Sequence, residues 1–374
     1  MRAKSTVALA AMLAALLAPA TPCLADVPAA AQDPPAKLTL RAAQVLLPGH
    51  PIAKGLEYMG FLLEERSGGE LSLDIRESTQ IKGERDLIED VQMGELDLIV
   101  ITTGPLYGFS NDFLVFDLPY AFPDALTARR VLDGPFGEKS LQNALQVGLV
   151  GLTYFENGLR HVTTTRKPVS RPEDLKGLKI RTMESRIHME VFRTLGATPV
   201  PLAFGDLYAR LKDGAVDGQE NPISVIVTTS IFEVQRDLTL TGHFYMPAPV
   251  FVSAGVWNKL SDRQRDLLRT AARDAMHYHR AVADRFMGPE QLRFLGKSMD
   301  VNESPDLALW REAVVGPVRE RFRAEIGPQV IEELDREIER VTYEGGPAAA
   351  AEPTVPSEPV EPARATVTVA PPAQ

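Results

Sequence analysis

At 374 residues the chain is long enough for about two domains with a sizeable core. Hydrophobic residues at 44% and charged residues at 24% are the balance of an ordinary soluble globular protein. A formal net charge of −10 disfavours nucleic acid or an anionic membrane as partner, and a single cysteine, Cys23, excludes a disulfide framework or a cysteine-rich metal centre.

The N-terminus reads as an export signal. Arg2 and Lys4 precede an apolar run from Val7 to Ala20, and Cys23-Leu24-Ala25 offers small residues where a signal peptidase reads. Cleavage after Ala25 removes the only cysteine. The run is shorter than the ~20 residues a membrane span needs, and Pro22 weakens a lipoprotein reading of Cys23. The expected location is the periplasm. Residues 26–36 then read as a flexible Ala/Pro-rich leader.

From Lys37 to Ala43 apolar and polar residues alternate with the period of a strand. Pro51 opens a helix with Leu56, Met59, Leu62 and Leu63 on one face, ended by Ser67-Gly68-Gly69. A strand over Leu71–Ile75, a helix over Gly83–Gly94 and a buried strand over Leu96–Ile101 follow. Two helices between Ala125 and Leu145 are split near Gly134-Pro135, and Val147–Phe155 is β-prone. Strands alternating with helices predict a largely parallel α/β sheet.

A second strand–helix series predicts a second α/β domain with its own core. It comprises a short helix at Pro172, a strand over Leu178–Arg181, a helix over Glu184–Leu195, an extended stretch over Thr198–Leu202, a helical segment over Phe204–Asp213 and a terse strand and turn at Ala215–Gly218. The polar stretch Asp217–Pro222 reads as a turn. Val250–Trp257 is β-prone, and Ser261 caps a long helix through Phe286. Residues 305–343 read as helical with breaks at Gly316-Pro317 and Gly327-Pro328, and 344–374 as a disordered Pro/Ala-rich tail.

The sequence contains no P-loop, dinucleotide fingerprint, HExxH or GxSxG. His277 and His279 lie two apart on a helix, so they face different ways and read as surface residues rather than metal ligands. Charges around Glu332-Glu333 and Arg336–Arg340 read as a solvated helix face. No nucleophile and base can be named, so an enzyme is not expected, and no cofactor or metal is implied.

What remains is a set of groups suited to a small anion. Arg181 ends a short strand, and guanidinium meets a carboxylate with two parallel hydrogen bonds. Arg160 follows Gly158 in the same stretch. The plainer account of each is a structural salt bridge or a surface arginine. Asn221 precedes Pro222, which biases it toward an extended conformation, and its amide both donates and accepts; an ordinary turn asparagine is the commoner case. Phe204 is either a stacking wall or core. Glu84 either accepts from ligand hydroxyls or complements a helix N-terminus. Ligands of such sheets sit at the carboxyl ends of strands.

From about Lys37 to Tyr343 these segments resemble the solute-binding proteins of tripartite ATP-independent periplasmic (TRAP) transporters, of the dicarboxylate-binding type. The resemblance is carried by SGGELSLDI, GERDLIEDVQMGELDL, VFDLPYAF, ENGLRHVTT, RPEDLKGLKIRTMES and LGATPVPLAFGDLYARLKDGAVDGQENP. DLKGLKIR followed by DGQENP is its most specific part. It implies that Arg181 pairs with a substrate carboxylate, that Asn221 contacts the ligand and that Arg160 aids carboxylate binding. It places Phe204 at an aromatic position, and Gln44, Glu84 and Thr102 where the first lobe varies with substrate. Thr102 departs from members with an acidic residue there, and STQIK at 78–82 departs from the family's Gly-Gln-Leu-Gly pattern.

The resemblance further implies a two-lobed periplasmic binding protein fold with hinge strands and a long domain-spanning helix. Lobe 1 would be 37–157 plus 249–286 and lobe 2 would be 158–248 plus 287–343. The implied function is capture of a small organic acid by cleft closure and its delivery to TRAP membrane subunits. The alternative is a ligand sensor of the same fold that docks to a signalling receptor.

Overall fold

The computed structural model describes residues 37–344. The predicted signal peptide, the leader and the tail beyond Glu344 lie outside them. Along the chain the first elements are β1 (Leu38–Ala43), α1 (Pro51–Ser67), β2 (Leu71–Ile75), α2 (Glu84–Met93), β3 (Leu98–Val100), α3 (Ala125–Leu132) and α4 (Pro135–Asn143). There follow the 16-residue β4 (Leu149–Thr164), β5 (Lys179–Thr182), α5 (Arg186–Thr194), β6 (Thr198–Pro201), α6 (Leu207–Lys212), β7 (Gly218–Asn221) and α7 (Ile223–Thr228). The 17-residue β8 (Asp237–Ser253) leads into α8 (Ala254–Trp257), α9 (Asp262–Met287), α10 (Pro289–Leu295), β9 (Asp300–Asn302), α11 (Leu307–Ile326) and α12 (Pro328–Glu344).

The helix boundaries follow local chemistry. Pro51 sits in the first turn of α1, and Gly68 ends it in the left-handed region at φ 65°. Ser185 caps α5 by accepting the His188 N–H. Ser261 and Gln264 form a reciprocal capping box at the start of α9. Helix α9 turns Leu268, Ala271, Ala272, Ala275, Met276, His279 and Ala283 inward at helical spacing, against α1 and β4. The alanines let α1 approach closely. Where the helices meet, Gly55 leaves room for the Phe155 ring, since a Cβ there would lie 2.8 Å from Phe155 Cε2.

The strands form one mixed sheet in the order β2-β1-β3-β8-β4-β7-β5-β6, with β9 against β8. At one end β1 runs parallel to β2 and β3; at the other β5 runs parallel to β6 and β7. The two sets that the sequence separates are joined by β4 and β8, which pair antiparallel along their length. β8 carries β3 on Val250–Val252, and β4 carries β7 on His161–Thr164. Their register shifts between Glu156 and Gly158, where Asn157 is the extra residue of a bulge. Gly158 takes φ 100°, which a side chain rarely tolerates.

Four sequence expectations need correction. The polar segment Asp217–Pro222 is not a turn, because Gly218–Asn221 is the buried strand β7, laid between β4 and β5. Its polar side chains find partners inside the protein, which lets a polar sequence fill a central strand. The β-prone run expected over Val147–Phe155 continues to Thr164, so Arg160 lies within β4. His279 is fully buried, stacked on Phe155 with ring centroids 4.7 Å apart, while His277 is exposed. Finally, α11 passes through Pro317 without a break, held by buried Val314 and Val318 on either side of it, whereas Gly327-Pro328 does separate two helices.

Candidate anion-binding site

The carboxyl ends of the parallel strands converge on one cavity. β1 runs out into Val45 and Leu46, β5 ends on Arg181 and Thr182, and β7 ends on Asn221. The cavity and its mouth together enclose about 410 Å³ of atom-free space, open solvent included, and are lined by Val45, Leu46, Glu84, Pro105, Asn157, Arg181, Met183, Glu184, Phe204 and Asn221. Four residues singled out from the sequence therefore meet there: Arg181, Asn221, Phe204 and Glu84. The other three (Arg160, Gln44 and Thr102) stand behind the wall.

Arg181 is 3% exposed. Its Nε and Nη2 donate to the Leu202 carbonyl at 3.1 and 2.6 Å. Those bonds fix the plane of the guanidinium against the end of β6 and leave Nη1 without a bond to a described residue. Among the described residues no carboxylate forms an ion pair with it. Burial, and then the charge of Arg160, push its pKa down to about 10, so it stays cationic at neutral pH. A buried arginine held in place yet lacking a counter-ion is an anion site waiting for its anion.

Arg160 differs. Its Nε and Nη2 reach the Glu220 carboxylate at 2.5 and 2.9 Å, and Nη2 also donates to the Glu220 carbonyl at 2.6 Å. Burial would raise the Glu220 pKa, but Arg160 and the neighbouring His188 and His243 hold it well below the usual carboxylate range. The Nε2 of His243 lies 3.3 Å from one Glu220 oxygen and the Nδ1 of His188 lies 3.5 Å from the other. Behind this cluster Asp117 takes hydrogen bonds from Thr103 Oγ1 and Ser185 Oγ, and burial raises its pKa.

Asn221 is aimed by a relay of side chains. Its Nδ2 donates to Gln219 Oε1 at 2.5 Å, Gln219 Nε2 donates to Thr163 Oγ1, and Thr163 Oγ1 donates to Gln235 Oε1. The Asn221 Oδ1 is left toward the cavity with no bond to a described residue. Glu84, the first residue of α2, accepts the Thr102 N–H on one oxygen at 2.7 Å and the Thr102 hydroxyl on the other at 2.6 Å. Burial raises its pKa, against those bonds and the two arginines. Thr102 thus orients Glu84 from behind. Gln44 spends both ends of its amide on the Leu46 backbone, at 2.7 and 2.5 Å, so it shapes the Val45–Leu46 wall rather than facing the cavity.

The sequence reading passed over Asn157. It is 8% exposed, and its Oδ1 is buried without a hydrogen-bond partner. The bulge next to Gly158 is what turns it inward, and the Asn-Gly pair just after a β-prone run was the available signal. Glu184 and Met183, immediately after β5, complete the floor. The two rims touch: Gly205 N–H donates to the Lys82 carbonyl at 2.8 Å, and a Cβ on Gly83 would lie 3.3 Å from Ala203 Cβ. Among the described residues no cluster of histidine, cysteine or carboxylate could hold a metal, and no helix is long and apolar enough to cross a membrane.

Comparison with known proteins agrees with this architecture. Residues 42–325 match the family model described as bacterial extracellular solute-binding protein, family 7. The 2,3-diketo-L-gulonate-binding periplasmic protein YiaO of Escherichia coli is 36% identical over 221 residues, covering 59% of this chain and 67% of that protein. A TRAP periplasmic solute-binding protein from Polaromonas, solved with D-erythronate, superposes with a TM-score of 0.77 at 35% identity, covering 80% of this chain and 98% of that one. The sugar acid-binding protein DctPAm from Advenella mimigardefordensis, solved with galactonate, gives 0.78 at 30% identity over 82% of this chain and 99% of that one. The fold is the two-lobed, mixed α/β architecture of these receptors, and the chain belongs to the bacterial extracellular solute-binding proteins of family 7.

Proposed function

We propose that this protein is the periplasmic receptor of a TRAP transporter, capturing a small organic acid between two lobes and handing it to the membrane subunits. The observation that carries the reading is Arg181, a buried, oriented cation with no ion-pair partner among the described residues. A carboxylate on its free edge would supply the missing charge, with Asn221 Oδ1 and Asn157 Oδ1 accepting from hydroxyl groups of the same ligand. The relatives named above bind 2,3-diketo-L-gulonate, D-erythronate and galactonate, each an acid. They support transport rather than docking to a signalling receptor.

The lobes would be 37–157 plus 249–286 and 158–248 plus 287–343, hinged on β4 and β8. Charge-assisted hydrogen bonds contribute roughly 1.5–3 kcal/mol each, so two to Arg181 supply a large part of the ~8 kcal/mol of a micromolar complex. Excluding water from the cavity strengthens them further. Closure of periplasmic binding proteins is a well-known hinge motion, and the ligand drives it by its preference for the closed form. The chain then acts by binding and release, not catalysis. Native mass spectrometry of the purified protein, followed by thermal-shift titration with organic acids, tests this. An acid recovered unchanged and a rise in melting temperature that Arg181→Ala removes are expected; a ligand without a carboxylate, or one turned over, would refute it.

A further inference from the structure

The cavity wall is uneven in charge and in hydrogen-bonding type. Among the described residues that line it, Arg181 is the only cation, while Glu84 and Glu184 are both carboxylates. Arg160 adds no free charge, because Glu220 already answers it at 2.5 Å. The remaining polar groups are rich in acceptors. Glu84 has one Thr102 donor on each oxygen and spare lone pairs on both. Asn157 Oδ1 is buried with no donor, and Asn221 is turned by Gln219 so that its Oδ1 is free. A ligand that satisfies this wall carries one carboxylate for Arg181 and hydroxyl groups, which donate to Glu84, Asn221 Oδ1 and Asn157 Oδ1 and can also accept from Asn157 Nδ2.

We propose that the site selects a polyhydroxylated monocarboxylate over a dicarboxylate, and that Glu84, held by Thr102, is the residue that enforces the choice. This rests on the reading that Arg181 receives the ligand's carboxylate. Hydroxyl groups donate to Glu84 and Asn157 and accept in turn. A second carboxylate brings only acceptors, and sets negative charge against Glu84 and Glu184, where closing the cleft around the ligand strengthens the repulsion of like charges. Rejection therefore needs no clash in shape. Charge and the lack of donors suffice.

Matched pairs of equal chain length test this by calorimetry on the signal-processed full chain: D-threonate against succinate, and D-gluconate against adipate. In at least one pair the hydroxy acid is expected to bind 100-fold or more tighter than its dicarboxylate partner. Glu84→Gln keeps the size and one acceptor but removes the charge; it should narrow that ratio at least tenfold, by weakening the hydroxy acid and strengthening the dicarboxylate. Thr102→Val, which frees Glu84 from its hydroxyl donor, should narrow it less. Tighter binding of the dicarboxylate in either pair overturns the preference while leaving the carboxylate role of Arg181 intact. An unchanged ratio in Glu84→Gln overturns the role of Glu84. If none of the four acids binds, the carboxylate reading itself fails and the preference falls with it.

Discussion

Arg160 and Glu220 face each other from adjacent strands, with Nε 2.5 Å from one carboxylate oxygen and Nη2 2.9 Å from the other. Both side chains are fully buried. Two arginines of one site therefore have different tasks: Arg160 is neutralised within the protein, and Arg181 is not. Removing Arg160 strands Glu220 as a buried, uncompensated charge, a loss of about 3–5 kcal/mol. Urea unfolding of the ligand-free protein should show Arg160→Ala destabilised by this amount, and Arg160→Ala/Glu220→Gln less so. Equal stability of Arg160→Ala and wild type would mean that the pair holds nothing together.

Arg181 should behave in the opposite way. Its guanidinium is desolvated with only a carbonyl as partner, so Arg181→Ala should leave ligand-free stability within about 1 kcal/mol of wild type. Acid binding measured by calorimetry should disappear. Arg181→Lys keeps the charge but loses the planar fork that grips Leu202 and the ligand together, and should bind at least tenfold more weakly. Wild-type affinity in Arg181→Ala would remove the central role given to this residue.

Much of this site was legible in the sequence, and the part that was not has a physical cause. Arg181, Asn221, Phe204 and Glu84 were found because a strand end, an Asn-Pro step and a helix start each leave a local mark, and the family pattern tied them together. Strand β7 was misread because GQEN has no apolar periodicity; its burial is supported by Arg160 and Thr163 of β4 and, behind Thr163, by Gln235 of the loop that precedes β8. The continuity of β4 through Glu156 was hidden by the same Asn157-Gly158 bulge that builds the site. His279 escaped for a related reason: a histidine that accepts the Glu156 N–H and stacks on Phe155 looks no different in sequence from an exposed one.

Gly218 is a steric requirement rather than a turn residue. A Cβ there would stand 2.3 Å from the Thr163 carbonyl oxygen and 3.1 Å from Ile180 Cδ1. The first contact is backbone in the neighbouring strand and cannot swing aside. Gly218→Ala must therefore pry β7 from β4, at roughly 3 kcal/mol, the upper end for overpacking. The displacement carries Glu220 and Asn221 with it, so chemical denaturation and acid affinity should both suffer. A variant as stable as wild type would show that the strands separate at no cost.

Acid should weaken the fold through its buried histidines. Burial, only partly offset by Glu156, pushes the pKa of His279 down to about 4, below the ~6.5 of an unfolded histidine. Between those values the unfolded chain binds a proton that the native state refuses, so stability rises with pH there and falls on acidification. The slope from this residue approaches about 1.4 kcal/mol per pH unit. His161, pushed down to about 3, adds in the same sense, while Glu84 and Asp117, with raised pKa values, act in the opposite one. His279→Gln isolates the term: denaturation between pH 7 and 5 should show a shallower slope than wild type. Parallel slopes would mean that His279 does not titrate on unfolding.

Closure of the cleft should be open to interference at its rim, away from the carboxylate. Gly83 has extended backbone, φ −160°, so a side chain there is not strained by conformation. It would nevertheless run into Ala203 across the cleft, with Cβ to Cβ at 3.3 Å. A leucine at either position must hold the rims apart and oppose the Gly205 N–H to Lys82 carbonyl bond. If the ligand is bound tightly only in the closed form, its apparent affinity falls by the fraction of protein that can still close. About 1.4 kcal/mol added to closure costs tenfold. Gly83→Leu and Ala203→Leu should each weaken acid binding by at least this factor while melting near the wild-type temperature without ligand. Small-angle scattering with saturating acid should then show a larger radius of gyration than wild type. Unaltered affinity and unaltered scattering in both variants would show that the rims do not need to meet for the acid to be held.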